Sequence, residues 1–350
     1  MIHLHVHSMY SLRDSIIRPE ELADRIEELN MDAVALTDHG NLYGAINVYQ
    51  ALKAKGIKYI HGCEMYICDD TSIKEKGSKY AHLIVLCKNE TGRLNLNKLV
   101  SKSEHPSRKY VKPRIDFNLL REHKDGLIIL SACMAGELSR LLSTNNYDGA
   151  YDLAKKYKDE FGEDYYIEIQ SHDVDEQIQL NKKLISIANS LGIKYVVTTD
   201  AHYAKKEDHE YQSMHSFYGK DGEETYKDCY LQSEEEVRSK LYYLPKEYVD
   251  LAIQNTREVA DKCNLEIPLS DPIIPPITTP PEFSSNKEWL QYLCEEGFRK
   301  KVKLHTLPPI KQMEYRKRYE YEIDSLERMG FIDYILLVYS YANITDKRGP

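Results

Sequence analysis

The chain has 350 residues, 42% hydrophobic and 29% charged, which excludes a disordered or fibrous protein and leaves room for one large domain of roughly 250 residues beside a smaller piece. A net charge of −9 excludes a protein that grips nucleic acid by bulk positive charge. No apolar run nears the length of a membrane span, and no membrane association is expected.

The charge is uneven: residues 271–350 hold 12 Lys+Arg and 12 Asp+Glu, so the whole −9 lies in residues 1–270. Seven cysteines with no C-x-x-C spacing point to reduced thiols in a cytoplasm. Met1-Ile2-His3 has neither the basic nor the apolar region of a signal peptide. The 28 tyrosines, beside 6 Phe and 1 Trp, follow no pattern and read as compositional bias.

In chain order, a strand is expected over residues 1–7, then a helix Pro19–Asn30 with Glu20 and Glu21 in its first turn. Asp32–Thr37 reads as a buried strand ending in Asp38-His39-Gly40, and Gly44–Lys55 as a helix stopped by Gly56. Ile57–Ile60 is the next strand, with Gly62-Cys63-Glu64 just past it and Met65–Cys68 also extended. Ala81–Cys87 is a strand with His82 at its start; a helix Thr91–Ser103 leads to a basic loop, Arg108–Arg114. Leu127–Leu130 is a strand ending in Ser131-Ala132-Cys133, followed by helices Gly136–Leu142 and Tyr147–Phe161. Strand Tyr166–Ile169, helix Asp175–Leu191 and strand Lys194–Thr198 complete the series, with helices dominating to Asn264.

Seven short apolar strands separated by helices predict an α/β fold with a largely parallel sheet, closed as a barrel rather than open. No Gly-rich dinucleotide fingerprint follows the first strand. Six prolines within Ile267–Pro281 mark a boundary, giving expected domains 1–270 and 271–350. Beyond it, Trp289–Lys301 and Ile310–Arg328 read as amphipathic helices, and Tyr334–Tyr339 as an apolar, strand-like run.

The chemistry-bearing residues recur at one end of this plan. His5 and His7, two apart on an extended segment, leave the same face, with His3 expected to join them and Asp14 following. His39, Glu64, Cys133, Asp200 and His202 each follow a strand, and His82 lies on one. In α/β barrels reacting groups gather at the C-terminal ends of the strands. Five imidazoles, three carboxylates and a thiol suit two or three divalent ions, since each takes three or four protein ligands. The donor mix favours Zn, Mn or Fe over Ca or Mg. Clustered ions of this kind serve phosphoester hydrolysis. Taken singly, Asp38-His39 could be a capped turn, Glu64 a turn carboxylate and Cys133 a small buried hydrophobe. His172 is a reserve ligand; His61, His105, His123, His209, His215 and His305 are expected at the surface or in packing.

The motifs His3-Leu4-His5-Val6-His7-Ser8, Thr37-Asp38-His39-Gly40, Gly62-Cys63-Glu64, Ser131-Ala132-Cys133-Met134-Ala135-Gly136-Glu137 and Asp200-Ala201-His202-Tyr203 resemble the polymerase and histidinol phosphatase (PHP) domain. The version they resemble most is that at the N-terminus of bacterial replicative DNA polymerase III alpha subunits. Gly92–Ser101, Pro113–Leu120, Leu290–Phe298 and Tyr319–Asp333 extend the likeness along the chain. The resemblance implies a distorted (β/α)7 TIM-like barrel with a trinuclear metal site at one mouth, then a partial helical segment leading into the polymerase palm. It implies one ion on His5, His7, Glu64 and Asp200, a second on Glu64, His82 and Cys133, and a third on Asp14, His39 and His202. It further implies metal-dependent phosphoesterase or 3′–5′ exonuclease activity of a proofreading type. The partners it implies are single-stranded or primer-terminus DNA, the rest of the polymerase, and replisome subunits such as a proofreading subunit and a sliding clamp.

The chain stops at Gly349-Pro350, where the family runs on into the palm, so polymerisation is not expected of it. It reads as a piece of a longer protein, with a short natural homologue as the alternative. A free-standing histidinol-phosphatase-like enzyme and a metal-stabilised scaffold are the competing functional readings.

Overall fold

The structure, a computed structural model, describes residues 1–75, 79–217, 227–269 and 273–348, without the side chains of 215–217 and 345–348. The side chain of His215, and Gly349-Pro350, read from the sequence above, therefore lie outside what the structure describes. Two compact units divide the chain, Met1–Ile267 and Pro268–Pro350.

The first unit is built on strands β1 (Ala33–Leu36), β2 (Lys58–Ile67), β3 (Ala81–Cys87), β4 (Arg114–Ile115), β5 (Leu127–Leu130), β6 (Tyr165–Gln170) and β7 (Tyr195–Thr198). They form one sheet in the order β1-β2-β3-β5-β6-β7, with β4 on β2. The N-terminal segment closes it. His3 bridges Val34 of β1, and Val6 bridges Ala201 just past β7. Four backbone bonds secure this: Ala35 N to His3 O (2.8 Å), Thr37 N to Val6 O (2.8 Å), His7 N to Ala201 O (2.8 Å) and Ala201 N to His5 O (3.2 Å). The result is a distorted barrel.

Side-chain alternation along the strands sorts the apolar residues into two layers. Ala35, Ile60, Ile84, Leu86, Ile128, Leu130, Tyr166 and Val196 fill the interior, joined by Val259, Ala260 and Cys263 at the C-terminal end of the helix Lys246–Lys262. Val34, Leu36, Val85, Ile129, Ile167 and Val197 face outward onto the surrounding helices, for example onto Leu22 and Ile26 of Pro19–Glu28 and Val48 and Leu52 of Ala45–Ala54.

Four details depart from the sequence reading. β3 runs antiparallel to both β2 and β5, and among the described residues no helix lies between β2 and β3. β2 is continuous, so Glu64 lies inside the strand rather than past it. Arg114–Ile115, expected as the end of a loop, is a short strand parallel to β2. Residues 1–7 are not a regular strand: Ile2 and Leu4 join the interior, Val6 joins the outer layer, and the chain bends at His5.

In the second unit, helices Asn286–Gly297, Pro309–Arg328 and Ile332–Arg348 gather Leu290, Ile323 and Leu336 into a small core. Tyr334–Tyr339 is therefore helical, not a strand. A short apolar run cannot separate the two states, and Ile332, Ile335 and Leu336 pack at helical spacing. No described helix is long and apolar enough to cross a membrane.

Candidate metal centre

The bend at His5 decides which histidines reach the mouth. It turns His5 and His7 inward together, their Nε2 atoms 3.1 Å apart. It also leaves His3, on the far side of the bend, bound to the Gln232 carbonyl (3.0 Å) and the Thr199 hydroxyl (3.2 Å). His3 thus stays outside the cluster it was expected to join. Residues at even positions of β2 face the interior, which brings Glu64 in above Ile60. The turn after β1 sets His39 beside Glu64 through a backbone bridge. Reversal of β3 puts its N-terminal end at the same mouth as the C-terminal ends of its neighbours. His82 is delivered there opposite Tyr66, one interior position beyond Glu64. Asp14, Cys133 and Asp200 arrive on turns with backbone in the left-handed region, at Arg13 (φ 67°), Ala132 (φ 64°) and Asp200 itself (φ 49°). Strain of this kind persists where the surroundings over-determine it, commonly at functional sites.

Glu64 is the hub. Its carboxylate, fully buried, lies 2.7 Å from His82 Nδ1, 2.5 Å from His39 Nδ1 and 3.4 Å from both His5 Nε2 and His7 Nε2. Asp200 Oδ1 lies 3.0 Å from His5 Nε2 and 3.2 Å from His7 Nε2. Asp14 Oδ2 contacts His39 Nε2 and is 3.6 Å from His202 Nε2. Cys133 Sγ stands 3.7 Å from His82 Nδ1 and 4.0 Å from Glu64 Oε1. All nine residues picked from the sequence meet at one place, and among the described residues three overlapping trios lie close enough to share an ion: His5/His7/Asp200, His39/Glu64/His82 and His7/His39/His202.

Without a cation this packing is electrostatically awkward. Burial opposes charge on His39, yet Glu64 and Asp14 raise its pKa to about 10. Burial likewise opposes charge on His5, and Asp200, Glu168 and Glu64 outweigh it. Burial lowers His7 to about 3, helped by His39 and His202. Burial would raise Glu64, but His82, His39 and His5 hold it well below the usual carboxylate range. Burial, with Asp200 and Glu64, pushes the Cys133 thiol well up. His39 Nδ1, Glu64 Oε2 and Asp200 Oδ1 are buried and face only other ionisable groups of the cluster, with no well-aligned hydrogen bond. Buried donor atoms of His, Asp and Glu, converging from several strands and satisfied by nothing but one another, are what divalent cations satisfy.

The outer nitrogens of three histidines are already held. His202 Nδ1 donates to the Asp200 carbonyl (2.7 Å), and His5 Nδ1 to Glu168 (2.8 Å). Ser11 gives its one proton to Asp38 (2.8 Å), so its oxygen accepts from His7 Nδ1 (3.1 Å). Each bond fixes the tautomer that aims an Nε2 lone pair into the centre. Glu168 also accepts from Thr198 Oγ1 (2.6 Å) and Gln170 Nε2 (3.2 Å). Neither Glu168 nor Ser11 was picked out from sequence, although a carboxylate in the middle of the apolar run Tyr165–Gln170 was a visible signal. The Glu168→Gln variant should keep the fold and lose 10–100-fold in metal affinity, read by competition with a chelating dye, because a second-layer partner typically contributes about that much.

His172, the reserve ligand, instead donates to the Thr199 carbonyl (2.9 Å) and lies outside the trios. His61 is buried against the Tyr59 hydroxyl (2.9 Å), a packing role.

The PHP domain family model matches residues 3–172. The chain is 37% identical over 97% of its length to DNA polymerase III subunit alpha of Treponema pallidum, covering 29% of that protein. It is 34% identical over 99% of its length to DNA polymerase III subunit alpha of Helicobacter pylori, covering 31%. It therefore spans about a third of the length of the curated relatives it matches. Among solved structures, histidinol phosphate phosphatase of Lactococcus lactis, complexed with zinc, L-histidinol and phosphate, is 13% identical with a TM-score of 0.31, over 69% of this chain and 92% of that one. That score transfers no chemistry. The matched segment holds His5, His7, Asp14, His39, Glu64, His82 and Cys133 of the cluster, and residues 3–172 of the chain belong to the PHP domain family.

Proposed function

We propose that the barrel mouth holds two to three divalent ions, of Zn, Mn or Fe, and hydrolyses phosphoesters, removing nucleotides from a 3′ end of DNA as part of a bacterial replicative polymerase subunit. The observation that carries this is the buried Glu64 carboxylate with four imidazole nitrogens within 3.4 Å. Such ions, when bound, supply a hydroxide near neutral pH and a clamp for the oxygens of the ester. His5, His7, Glu64 and Asp200 would hold one, Glu64, His82 and Cys133 a second, and Asp14, His39 and His202 a third. His39 offers Nδ1 to the Glu64 side and Nε2 to the Asp14 side, so it could serve either of the last two groups. Glu168, Ser11 and the Asp200 carbonyl keep the imidazoles oriented. The same reading makes single-stranded or primer-terminus DNA the substrate, the remainder of a polymerase and other replisome subunits the neighbours, and the cytoplasm the location.

A structural role has one observation in its favour. The N-terminal segment, which supplies His5, His7 and Asp14, is tied to the barrel by isolated bridges rather than a continuous ladder, so ions there would fasten it.

Elemental analysis of the chain purified without chelator, and of its Asp200→Ala and His7→Ala variants, tests both readings. The same samples are assayed with manganese on 3′-labelled single-stranded DNA and on an amino-alcohol phosphate. Two to three equivalents of metal, and DNA cleavage lost in both variants, is the expected result. Metal with no hydrolysis of either substrate leaves the structural role; faster turnover of the small phosphate moves the reading to a phosphatase. A metal-free wild type sinks all of it.

A further inference from the structure

Beside the cluster stands a lysine that no carboxylate of the described residues neutralises. Lys112 Nζ lies 5.0 Å from the centre of the Tyr66 ring, and among the described residues no acidic group is within ion-pair distance of it. Tyr66 in turn stacks on His39 (ring centres 6.0 Å apart) and meets His82 edge-on (5.3 Å). The ammonium and two of the candidate ligands therefore lie against the same aromatic ring.

The loop carrying Lys112 is built to hold it there. Tyr110 and Lys112 exchange backbone hydrogen bonds (3.2 and 2.7 Å) around Val111. Val111 sits at φ 60° and is 77% exposed. A β-branched residue in the left-handed region is a true outlier, and its exposed side chain contributes little packing to offset the strain. The anchor is Arg114, paired with Tyr66 across β2 and β4 and fully buried. Its guanidinium stacks on Tyr110 (5.6 Å) and donates to the carbonyls of Thr71 (3.1 Å), Ile73 (2.9 Å) and Arg108 (3.2 Å). Pro113 closes the gap to the ligand turn. A Cβ on Gly40, next to His39, would fall 2.8 Å from Pro113 and 3.0 Å from Tyr66, so only glycine allows this approach.

A strained turn that positions an unpaired cation next to a phosphoester site is suited to a second anionic group on the substrate. We propose that Lys112 binds the phosphate adjoining the one being cleaved, and so selects an oligonucleotide strand over a small ester with a single phosphate. This rests on the hydrolytic reading above. Lys112 is a positioning residue, since its ammonium reaches the substrate away from the reacting atoms.

The test compares Lys112→Ala and Lys112→Arg with wild type, in the full chain with manganese, on a single-stranded oligonucleotide and on bis(para-nitrophenyl) phosphate, a diester with no second phosphate. The Ala variant should raise KM for the oligonucleotide about tenfold with kcat unchanged, flatten the salt dependence by about one unit of slope, and leave the small diester untouched. The Arg variant should restore KM. Equal losses on both substrates, or no change on the oligonucleotide, would overturn the assignment. Should wild type hydrolyse neither substrate, the hydrolytic reading fails by itself. The Lys112 proposal is then decided by fluorescence anisotropy with a labelled oligonucleotide, where about tenfold weaker binding by the Ala variant upholds it and unchanged binding ends it.

Discussion

Replacing Glu64 with glutamine should empty most of the site and lower hydrolysis by about a thousandfold or more, equivalent to ~4 kcal/mol of lost transition-state stabilisation. The size follows from position. Glu64 is fully buried and is, among the described residues, the one carboxylate within 3.4 Å of His5, His7, His39 and His82 together. Glutamine preserves its shape but turns one acceptor into a donor and removes a charge. Both ion sets that share Glu64 should fail, while Asp14, His39 and His202 still offer a third. Elemental analysis should therefore fall to about one equivalent or less, with far-UV circular dichroism unchanged. Cys133→Ser, at the edge of the cluster 4.0 Å from Glu64 Oε1, should cost much less on both readouts. A Glu64→Gln protein with its full metal complement would show that the cluster is not organised around this carboxylate.

How far the sequence disclosed this site depended on backbone regularity. His39, Cys133 and Asp200 were legible because each ends a short apolar strand, and strand ends share a mouth in a barrel. His82 was legible only as a residue type. Its place at the mouth depends on the reversal of β3, which pairs antiparallel with both neighbours and leaves no mark in local periodicity. His3 was misplaced because period-2 alternation was carried through the bend at His5, and a single irregular residue flips every side chain beyond it. Glu168 was passed over because an apolar run was read for its pattern and not for its exception. Arg108–Arg114 was read as a basic loop; its left-handed Val111 and buried Arg114 anchor are tertiary facts with no sequence signature of their own.

Stripping the metal should release the strain of the cluster as protonation and instability, and the direction of each is fixed by the imidazoles. In the metal-free fold His39 titrates at about 10 and His5 well above its ordinary value, so both are charged near neutral pH; His7, at about 3, is neutral. Ligation needs all three neutral. Metal binding at about pH 7.5 should therefore expel about three protons, from His39, His5 and the Cys133 thiol, with a further contribution from His202 and none from His7, measured by titration calorimetry in buffers of different ionisation enthalpy. Binding should tighten as pH rises. Stability follows the same signs. A folded-state pKa raised above 6.5 gives His39 a stabilising contribution that is complete below pH 6.5 and fades as pH climbs to about 10. Glu64 and Asp200, held low, contribute above their ordinary values and lose that contribution only in acid. The metal-free chain should thus weaken from pH 6.5 upward, whereas the loaded chain, its imidazoles already neutral and ligated, should not. Chelation should lower the thermal midpoint by on the order of 10–20 °C at about pH 7.5, and by more at about pH 9. A midpoint indifferent to chelator at both pH values, with no protons released on adding metal back, would mean that the buried histidines and carboxylates neutralise one another unaided.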